Sequence, residues 1–160
     1  MKGEVEIKIH NNKVNYDFVL KRNITIVRGK SGTGKTTLYR LVSDYMKDSK
    51  SSGVKITMSS GDSCIALSDI DFENQIKKTK NSVVFIDEGF IGFKNDGNIN
   101  DFIRKIKKTD DYYVIFSREG FDKIPSSVEE IYEIKTRGKK HTFEKYYKIK
   151  HFQNFKRDKS

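Results

Sequence analysis

The sequence predicts a three-layer α/β domain whose sheet is mainly parallel, with antiparallel hairpins added at the amino- and carboxyl-terminal ends of the chain. Short apolar runs rich in β-branched residues, at 24–27, 82–87 and 112–116, alternate with segments of helical periodicity. Strands that alternate with helices in this way form parallel sheets through right-handed crossovers. The two chain ends instead alternate polar with apolar residues, which is typical of hairpins with one solvent-facing side.

Composition favours one globular domain without a membrane segment. Of the 160 residues, 35% are hydrophobic, 34% are charged and only one is proline, which excludes a low-complexity chain. No run approaches the roughly 20 apolar residues that span a bilayer, and the first ten residues lack the apolar core of a signal peptide. We therefore expect a cytoplasmic protein with no membrane partner, with a single domain over residues 1–150 and a basic tail over 151–160. The one cysteine, Cys64, cannot form an internal disulfide and is expected to pack in the core.

The amino-terminal segment predicts a β-hairpin followed by a strand that is covered on both faces. Residues 4–10 and 14–20 each alternate apolar with polar side chains around the turn "NNK". Residues 24–27 form a continuous β-branched run instead, which indicates burial on both faces. We therefore expect two sheets to meet at this point.

Three segments between the predicted strands have apolar residues at helical spacing. The first ends near the turn-forming "KDSKSSG", and the second, "DIDFENQIKKT", is short. Additional strands are expected at "VKITM" and "CIAL", and a hairpin over residues 129–149 is expected to turn at Gly138. The helical residues expected to face the core are, segment by segment, Leu38, Leu41, Val42, Tyr45 and Met46; Ile70, Phe72 and Ile76; and Ile99, Phe102, Ile103 and Ile106.

The stretch "RGKSGTGKTTL" joins the covered strand to the first helix and has the spacing Gly29-x-x-x-x-Gly34-Lys35-Thr36. A glycine-rich turn here can wrap its amides around a polyphosphate, because glycine tolerates the required dihedrals and the close approach. The Lys35 ammonium can reach the β- and γ-phosphates, and the Thr36 hydroxyl can bind magnesium. The helix that follows adds unpaired amides and the positive end of its dipole. The predicted phosphate-binding residues are Gly29, Lys30, Ser31, Gly32, Thr33, Gly34, Lys35, Thr36 and Thr37.

Two carboxylates, Asp87 and Glu88, follow the apolar strand "VVFI". In a parallel sheet, the carboxyl end of this strand is expected to lie beside the strand that feeds the phosphate-binding loop. Asp87 would then face the metal ion, and Glu88 could orient or polarise the water that attacks the γ-phosphate. Acidic residues in solvated turns also commonly follow apolar strands. The two carboxylates indicate a catalytic site here because a predicted phosphate-binding loop precedes them.

Residues 29–36 resemble a Walker A motif, and residues 83–88 resemble a Walker B motif with an additional glutamate. Over residues 24–117 the chain resembles the additional-strand class of P-loop ATPases, which includes AAA-type, RecA-like and ABC-type proteins. This resemblance implies a P-loop NTPase fold, a strand at "VKITM" or "CIAL" between the two motifs, and ATP with Mg²⁺ as the ligands.

The same resemblance has limits. The amino-terminal hairpin is similar to the antiparallel sheet of ABC and SMC-type heads, but the chain has no "LSGGQ"-like signature and no histidine after "YYVIF". A full ABC ATPase is therefore not expected. The combination of motifs is also similar to small, uncharacterised ATP-binding proteins of Gram-positive bacteria and their mobile elements.

The strand "YYVIF" is followed by "SREG", which should emerge on the same edge of the sheet as the phosphate site. In the ATPases that the chain resembles, a polar residue at the end of this strand contacts the γ-phosphate or the attacking water. The resemblance thus makes Ser117 a sensor candidate and Arg118 a charge stabiliser. A surface turn with an exposed ion pair is the alternative interpretation of the same residues.

The net charge of +10 is concentrated at the carboxyl end. Residues 135–160 contain ten Lys or Arg against two acids, a net +8, which leaves +2 for residues 1–134. Aromatic residues interleave with this charge, a composition that suits nonspecific binding of nucleic acid, single strands above all. The same sequence pattern also fits a hairpin that packs an aromatic face on the sheet and exposes its lysines to water. We favour this second interpretation. The aromatic residues concerned are Phe143, Tyr146, Tyr147, Phe152 and Phe155.

These features favour a Mg-dependent ATPase that hydrolyses the β–γ phosphoanhydride of a bound nucleoside triphosphate. A P-loop kinase acting on a small molecule such as a nucleoside is the first alternative, because "IDEGF" resembles thymidine kinases with a glutamate base in this position. The segment between the helix expected at 99–108 and the strand at 112–116 is too short for the arginine-bearing lid of a kinase. The second alternative is a binding module with little turnover, in which nucleotide stabilises a conformation, a homo-oligomer or a complex with a protein partner. The three scattered histidines are assigned no catalytic role.

Overall fold

The computed structural model describes residues 1, 3–29, 32–87, 89–90, 96–117 and 131–145, and within these ranges the side chains of all but residues 96–100. The helices of this part are α1 (Lys35–Lys47), α2 (Phe72–Lys78) and α3 (Asp96–Lys107). Its strands are β1 (Val5–His10), β2 (Asn15–Leu20), β3 (Ile24–Arg28), β4 (Lys55–Met58), β5 (Cys64–Ala66), β6 (Val83–Ile86), β7 (Tyr112–Ser117), β8 (Ile131–Arg137) and β9 (Lys140–Lys145).

All of these strands belong to one mixed sheet, in the order β4-β1-β2-β9-β8-β3-β7-β6-β5. The pairs β2–β9, β8–β3, β3–β7, β7–β6 and β6–β5 are parallel, whereas β1–β2, β1–β4 and β8–β9 are antiparallel. The prediction of a mainly parallel sheet with hairpins at both chain ends is confirmed. The expectation of two sheets is wrong, because β2 pairs in parallel with β9 and thereby joins the two hairpins edge to edge.

The central strands β3, β6 and β7 are covered on both faces. Along β6, Val83 and Phe85 pack in the cluster that contains α1, whereas Val84 and Ile86 pack in the cluster that contains α3. Strand β7 alternates in the same way. This alternation is why their sequences are apolar throughout, since neither face of these strands meets water.

The sheet curls so far that its two edge strands, β4 and β5, approach each other. These strands are consecutive in the chain and are joined by residues 59–63, which can span roughly 20 Å when extended. A flat sheet of this size would separate its edges by about 38 Å, or eight spacings of about 4.8 Å. The Cys64 sulfur on β5 accordingly lies 3.4 Å from the Met58 sulfur on β4. The sheet is therefore nearly a barrel, and α1 packs one face against β1 and β5.

The three helices occupy the three predicted segments, and most of their predicted core residues are at least partly buried. Ile70 is an exception, because it is 83% exposed. Helix α2 begins at Phe72, so Ile70 precedes the first turn and helical spacing does not govern its direction. Met46, in the last turn of α1, is also exposed, and the Ile99 side chain lies outside the described residues. No helix in the described ranges is long and apolar enough to cross a membrane.

The carboxyl-terminal hairpin turns at Gly138, whose φ of 60° suits glycine. The Phe143 ring of β9 stacks on Phe18 of β2, with 4.0 Å between the ring centroids. Tyr132 and Ile134 of β8 pack against the same core. The described part of the hairpin therefore places aromatic side chains on the sheet, which is the interpretation favoured from the sequence. The tail and the other aromatic residues assigned to it, Tyr146, Tyr147, Phe152 and Phe155, lie outside the described residues.

Candidate functional site

The loop between β3 and α1 contains two glycines in left-handed backbone conformations that other residues rarely adopt. Gly32 has a φ of 85°, and Gly34, which caps the amino terminus of α1, has a φ of 100°. A Cβ atom on Gly34 would also lie 3.0 Å from the Tyr16 hydroxyl oxygen. The torsion therefore favours glycine at the start of this helix, and the Tyr16 hydroxyl leaves little room for a Cβ atom.

The Lys35 side chain is buried where this loop meets the end of β7, and the residue is only 4% exposed. Its ammonium donates hydrogen bonds to the carbonyl oxygens of Gly29 and, at 3.0 Å, of Ser117. The Ser117 carbonyl also accepts a hydrogen bond of 3.2 Å from the Gly29 amide. A buried ammonium needs such partners, because moving an unpaired charge out of water is costly. The lysine therefore sits inside the loop as a fixed positive charge.

A cavity of about 580 Å³ opens beside the loop and the first turn of α1. The hydroxyl-bearing residues Thr33, Thr36 and Thr37 line it, next to Gly32 and Gly34. The first turn of α1 borders this space, and the amino terminus of a helix favours an anion. The described part of the loop therefore has the components of a phosphate site.

Asp87 follows β6 and lies on the same side of the sheet as α1. The alternation along β6 indicates this direction, since Phe85, two residues earlier, packs in the cluster with α1. Burial raises the pKa of the Tyr39 phenol on α1, and the nearby carboxylates of Asp87 and Asp69 raise it further. The expectation that the strand before Asp87 lies beside the strand that feeds the loop is wrong, because β7 separates β3 from β6.

Thr36 and Asp87 provide oxygen donors, the ligand type that a magnesium ion takes when it is bound together with a phosphate substrate. In nucleotide sites, Mg²⁺ is usually held by one or two protein oxygens and by phosphate oxygens. Thr36 lines the cavity, and the Asp87 carboxylate lies on the α1 side of the sheet. Within the described ranges, no group of three or more His, Cys, Asp or Glu residues could hold a metal without such a substrate. Thr36 and Asp87 are the two ligands that the sequence predicts.

Ser117 ends β7 beside Arg28 of β3 and is 2% exposed. It reaches Lys35 through its backbone carbonyl, a contact that the sequence did not predict. Tyr113 and Ile115 pack on the α3 side, so the alternation of β7 directs the Ser117 side chain to that side. Its sensor role stays a prediction. Four other predicted site residues lie outside the described residues: Lys30, Ser31, Glu88 and Arg118.

Sequence reasoning missed three residues that border the loop from the hairpin side. The Tyr16 hydroxyl of β2 donates a hydrogen bond of 2.8 Å to the Gly34 carbonyl, and burial raises the pKa of this phenol to about 12. The His141 ring of β9 stacks on Tyr16 with 4.5 Å between centroids and 16° between planes. Its Nδ1 atom lies 2.7 Å from the Thr136 hydroxyl oxygen. No local pattern signals these contacts, because they depend on the pairing of β2 with β9 from opposite ends of the chain.

Comparison with known proteins identifies a family whose sequence pattern this chain matches. The sequence pattern of the "ATPase family associated with various cellular activities (AAA)" matches residues 25–137. The match begins in β3, includes the loop, β6 and β7, and ends at the last residue of β8. A search of curated proteins found no match. Proteins of the AAA family have a P-loop fold, bind nucleotide, generally with Mg²⁺, and are typically ATPases. Because the match covers more than half of its length, the chain belongs to the AAA family of ATPases.

Proposed function

We propose that this chain is a Mg-dependent ATPase that hydrolyses the β–γ phosphoanhydride of ATP. The observation that carries the proposal is the position of β7 between β3, which feeds the phosphate-binding loop, and β6, which ends at Asp87. A strand in this position is the feature after which the additional-strand class of P-loop ATPases is named. In that class the acidic residue after the strand-end aspartate activates water, and here that residue is Glu88.

The phosphates are bound by the loop and the first turn of α1. The amides around Gly32 and Gly34 contact the β-phosphate, since the left-handed backbone of these glycines allows the chain to curve around it. The buried Lys35 ammonium neutralises charge on the β- and γ-phosphates. Its three N–H groups allow it to exchange a carbonyl partner for a phosphate oxygen without leaving the loop.

The two acidic residues after β6, Asp87 and Glu88, carry out hydrolysis together with Thr36. Thr36 and Asp87 would hold Mg²⁺, which would supply positive charge to the reacting phosphates. Glu88 accepts a proton as water attacks the γ-phosphorus, and the bond to the bridging oxygen breaks to give ADP and inorganic phosphate. Arg118 stabilises the charge that develops on the γ-phosphate. Because the Ser117 side chain points to the α3 side of the sheet, Ser117 acts here through its backbone carbonyl, which holds the Lys35 ammonium.

The sharpest test replaces Glu88 and measures phosphate release and ATP affinity separately. Glu88→Gln has nearly the same shape but cannot accept the proton, so we expect turnover to fall by at least about a hundredfold while ATP affinity is kept. Glu73→Gln is the matched control, because Glu73 is an exposed carboxylate on α2 paired with Lys105. It should turn over at the wild-type rate. Wild-type turnover in Glu88→Gln would remove Glu88 from the mechanism, and ATP binding without turnover by the wild-type chain would favour the regulatory module instead.

A further inference from the structure

The cavity beside the phosphate-binding loop has a second half that hydrolysis does not use. Besides the loop and α1, its lining includes Val14 just before β2, Tyr16 in β2, Thr136 in β8 and His141 in β9. Its volume of about 580 Å³ falls within the roughly 300–1,000 Å³ that is usual for small-molecule sites. The space can therefore receive more of a ligand than its phosphates.

The strand order separates the two ends of a bound nucleoside triphosphate. Strands β7 and β6, which lead to Ser117 and Asp87, lie on one side of β3, and β8, β9 and β2 lie on the other. In the proposed mechanism the γ-phosphate belongs on the side of Asp87. The α-phosphate and the nucleoside then point toward the hairpin side, where Thr136 and His141 border the same cavity.

The His141 ring is held in a fixed plane at this end of the cavity. Tyr16 stacks against it, and the Thr136 hydroxyl is within hydrogen-bond distance of its Nδ1 atom. Tyr16 is itself fixed by its hydrogen bond to the Gly34 carbonyl, so the ring pair is tied to the phosphate-binding loop. A platform whose orientation is set in advance costs little ordering when a ligand binds.

The charge state of His141 suits an aromatic ligand better than an anionic one. Burial lowers the pKa of the imidazole, so the neutral form predominates at pH 7. A neutral ring offers a π surface and no charge for a phosphate. Val14 adds apolar surface to the same part of the lining.

We propose that the carboxyl-terminal hairpin forms the nucleoside subsite, with the base of the bound nucleotide packed against His141. This proposal rests on the proposed function. Thr136 positions the imidazole, and Tyr16 supports it from the loop side. Stacking of a base on an aromatic side chain strengthens binding by about fivefold to a hundredfold in nucleic-acid complexes, so loss of the ring should be measurable as a change in affinity.

Calorimetric titration of the full-length chain with ATP and with inorganic tripolyphosphate tests this subsite. His141→Ala should weaken ATP binding about tenfold and leave tripolyphosphate binding unchanged, since tripolyphosphate has no base. His141→Phe keeps an aromatic face and should restore most of the ATP affinity. His10→Ala is the matched control, because His10 ends β1, two strands away from β9 in the sheet. If His141→Ala does not fold, His141→Gln, which lacks a ring but can still bond to Thr136, replaces it with the same expected result.

Two results would overturn the subsite. One is unchanged ATP affinity in His141→Ala, and the other is an equal loss of ATP and tripolyphosphate affinity, which would indicate damage to the phosphate-binding loop. A wild-type chain that binds neither compound would refute the proposed function as well. A wild-type chain that binds both, combined with normal ATP affinity in His141→Ala, would refute the base platform alone.

Discussion

The two sides of β3 differ in how their site residues are brought together. On one side, the strand ends of β7 and β6 bring Ser117 and Asp87 to the level of the phosphate-binding loop. On the other, β8, β9 and β2 bring Thr136, His141 and Tyr16 to the same cavity. Ser117 and Asp87 each follow an apolar strand, so the position of each can be predicted from its own segment of the sequence. The other three residues come together only because the first hairpin of the chain pairs with the last.

The chemistry of the two sides differs as well. The phosphate side is built around the buried Lys35 charge, which backbone carbonyls satisfy. The hairpin side is built from the stacked, neutral rings of Tyr16 and His141. Removal of the Lys35 charge should therefore weaken ATP binding far more than removal of the His141 ring or of the Tyr16 hydroxyl.

The largest effect is expected for Lys35→Ala. Loss of the ammonium removes charge-assisted hydrogen bonds to the β- and γ-phosphates, so ATP affinity should fall by at least about a hundredfold while the fold is kept. Lys47→Ala is the matched control, because Lys47 is exposed in the last turn of the same helix. Calorimetry checks the affinity, and a thermal melt checks the fold. ATP affinity at the wild-type level in Lys35→Ala would be incompatible with a phosphate-binding loop here.

An intermediate effect is expected for Tyr16→Phe, which links the two sides. The variant keeps the ring stacked on His141 but loses the hydroxyl that donates to the Gly34 carbonyl. We expect a loss of about 1 kcal/mol in the free energy of unfolding and a fall of about 3 °C in Tm. Tyr45→Phe serves as control, since Tyr45 lies ten residues beyond Lys35, about 15 Å along α1. A melt of Tyr16→Phe that coincides with the wild-type melt would mean that the hairpin does not support the loop.

The smallest effect is expected for nucleic acid. Phe143 packs on Phe18 and Tyr132 on the core, so these rings are engaged in the sheet. We expect no salt-dependent binding of single-stranded oligonucleotides between about 50 and about 200 mM salt. The opposite outcome would be a log–log slope near −0.7 per phosphate neutralised. In that case deletion of residues 151–160, which removes a net charge of +2, should weaken the binding without changing ATP affinity.

Features set by local sequence could be predicted, whereas features set by pairing between distant strands could not. The positions of Gly34 and Lys35 could be predicted from the sequence, because the motif lies within a few residues and the torsion at the start of α1 favours glycine. The covered strands were readable because burial on both faces leaves a continuous apolar run. The prediction for Ile70 was wrong because helix ends are set by local turn geometry, which spacing alone does not reveal.

The remaining features depend on pairing between distant segments. The position of β7 between β3 and β6, and the joining of the two hairpins through β2 and β9, are set by which edges meet in three dimensions. The curl that brings β4 to β5 has the same origin. The stack of Tyr16 on His141 follows from these pairings, so no pattern within either strand could have indicated it.

The central claim is that the chain breaks the β–γ bond of ATP, and the fate of the γ-phosphate tests it most directly. Purified full-length protein is incubated with γ-labelled ATP in the presence of Mg²⁺ or of EDTA, and the label is then separated into ATP and inorganic phosphate. The account predicts several turnovers of released phosphate per chain with Mg²⁺, and loss of this release with EDTA or in Lys35→Ala. Recovery of the label as intact ATP from a chain that has bound it with Mg²⁺ would contradict the account.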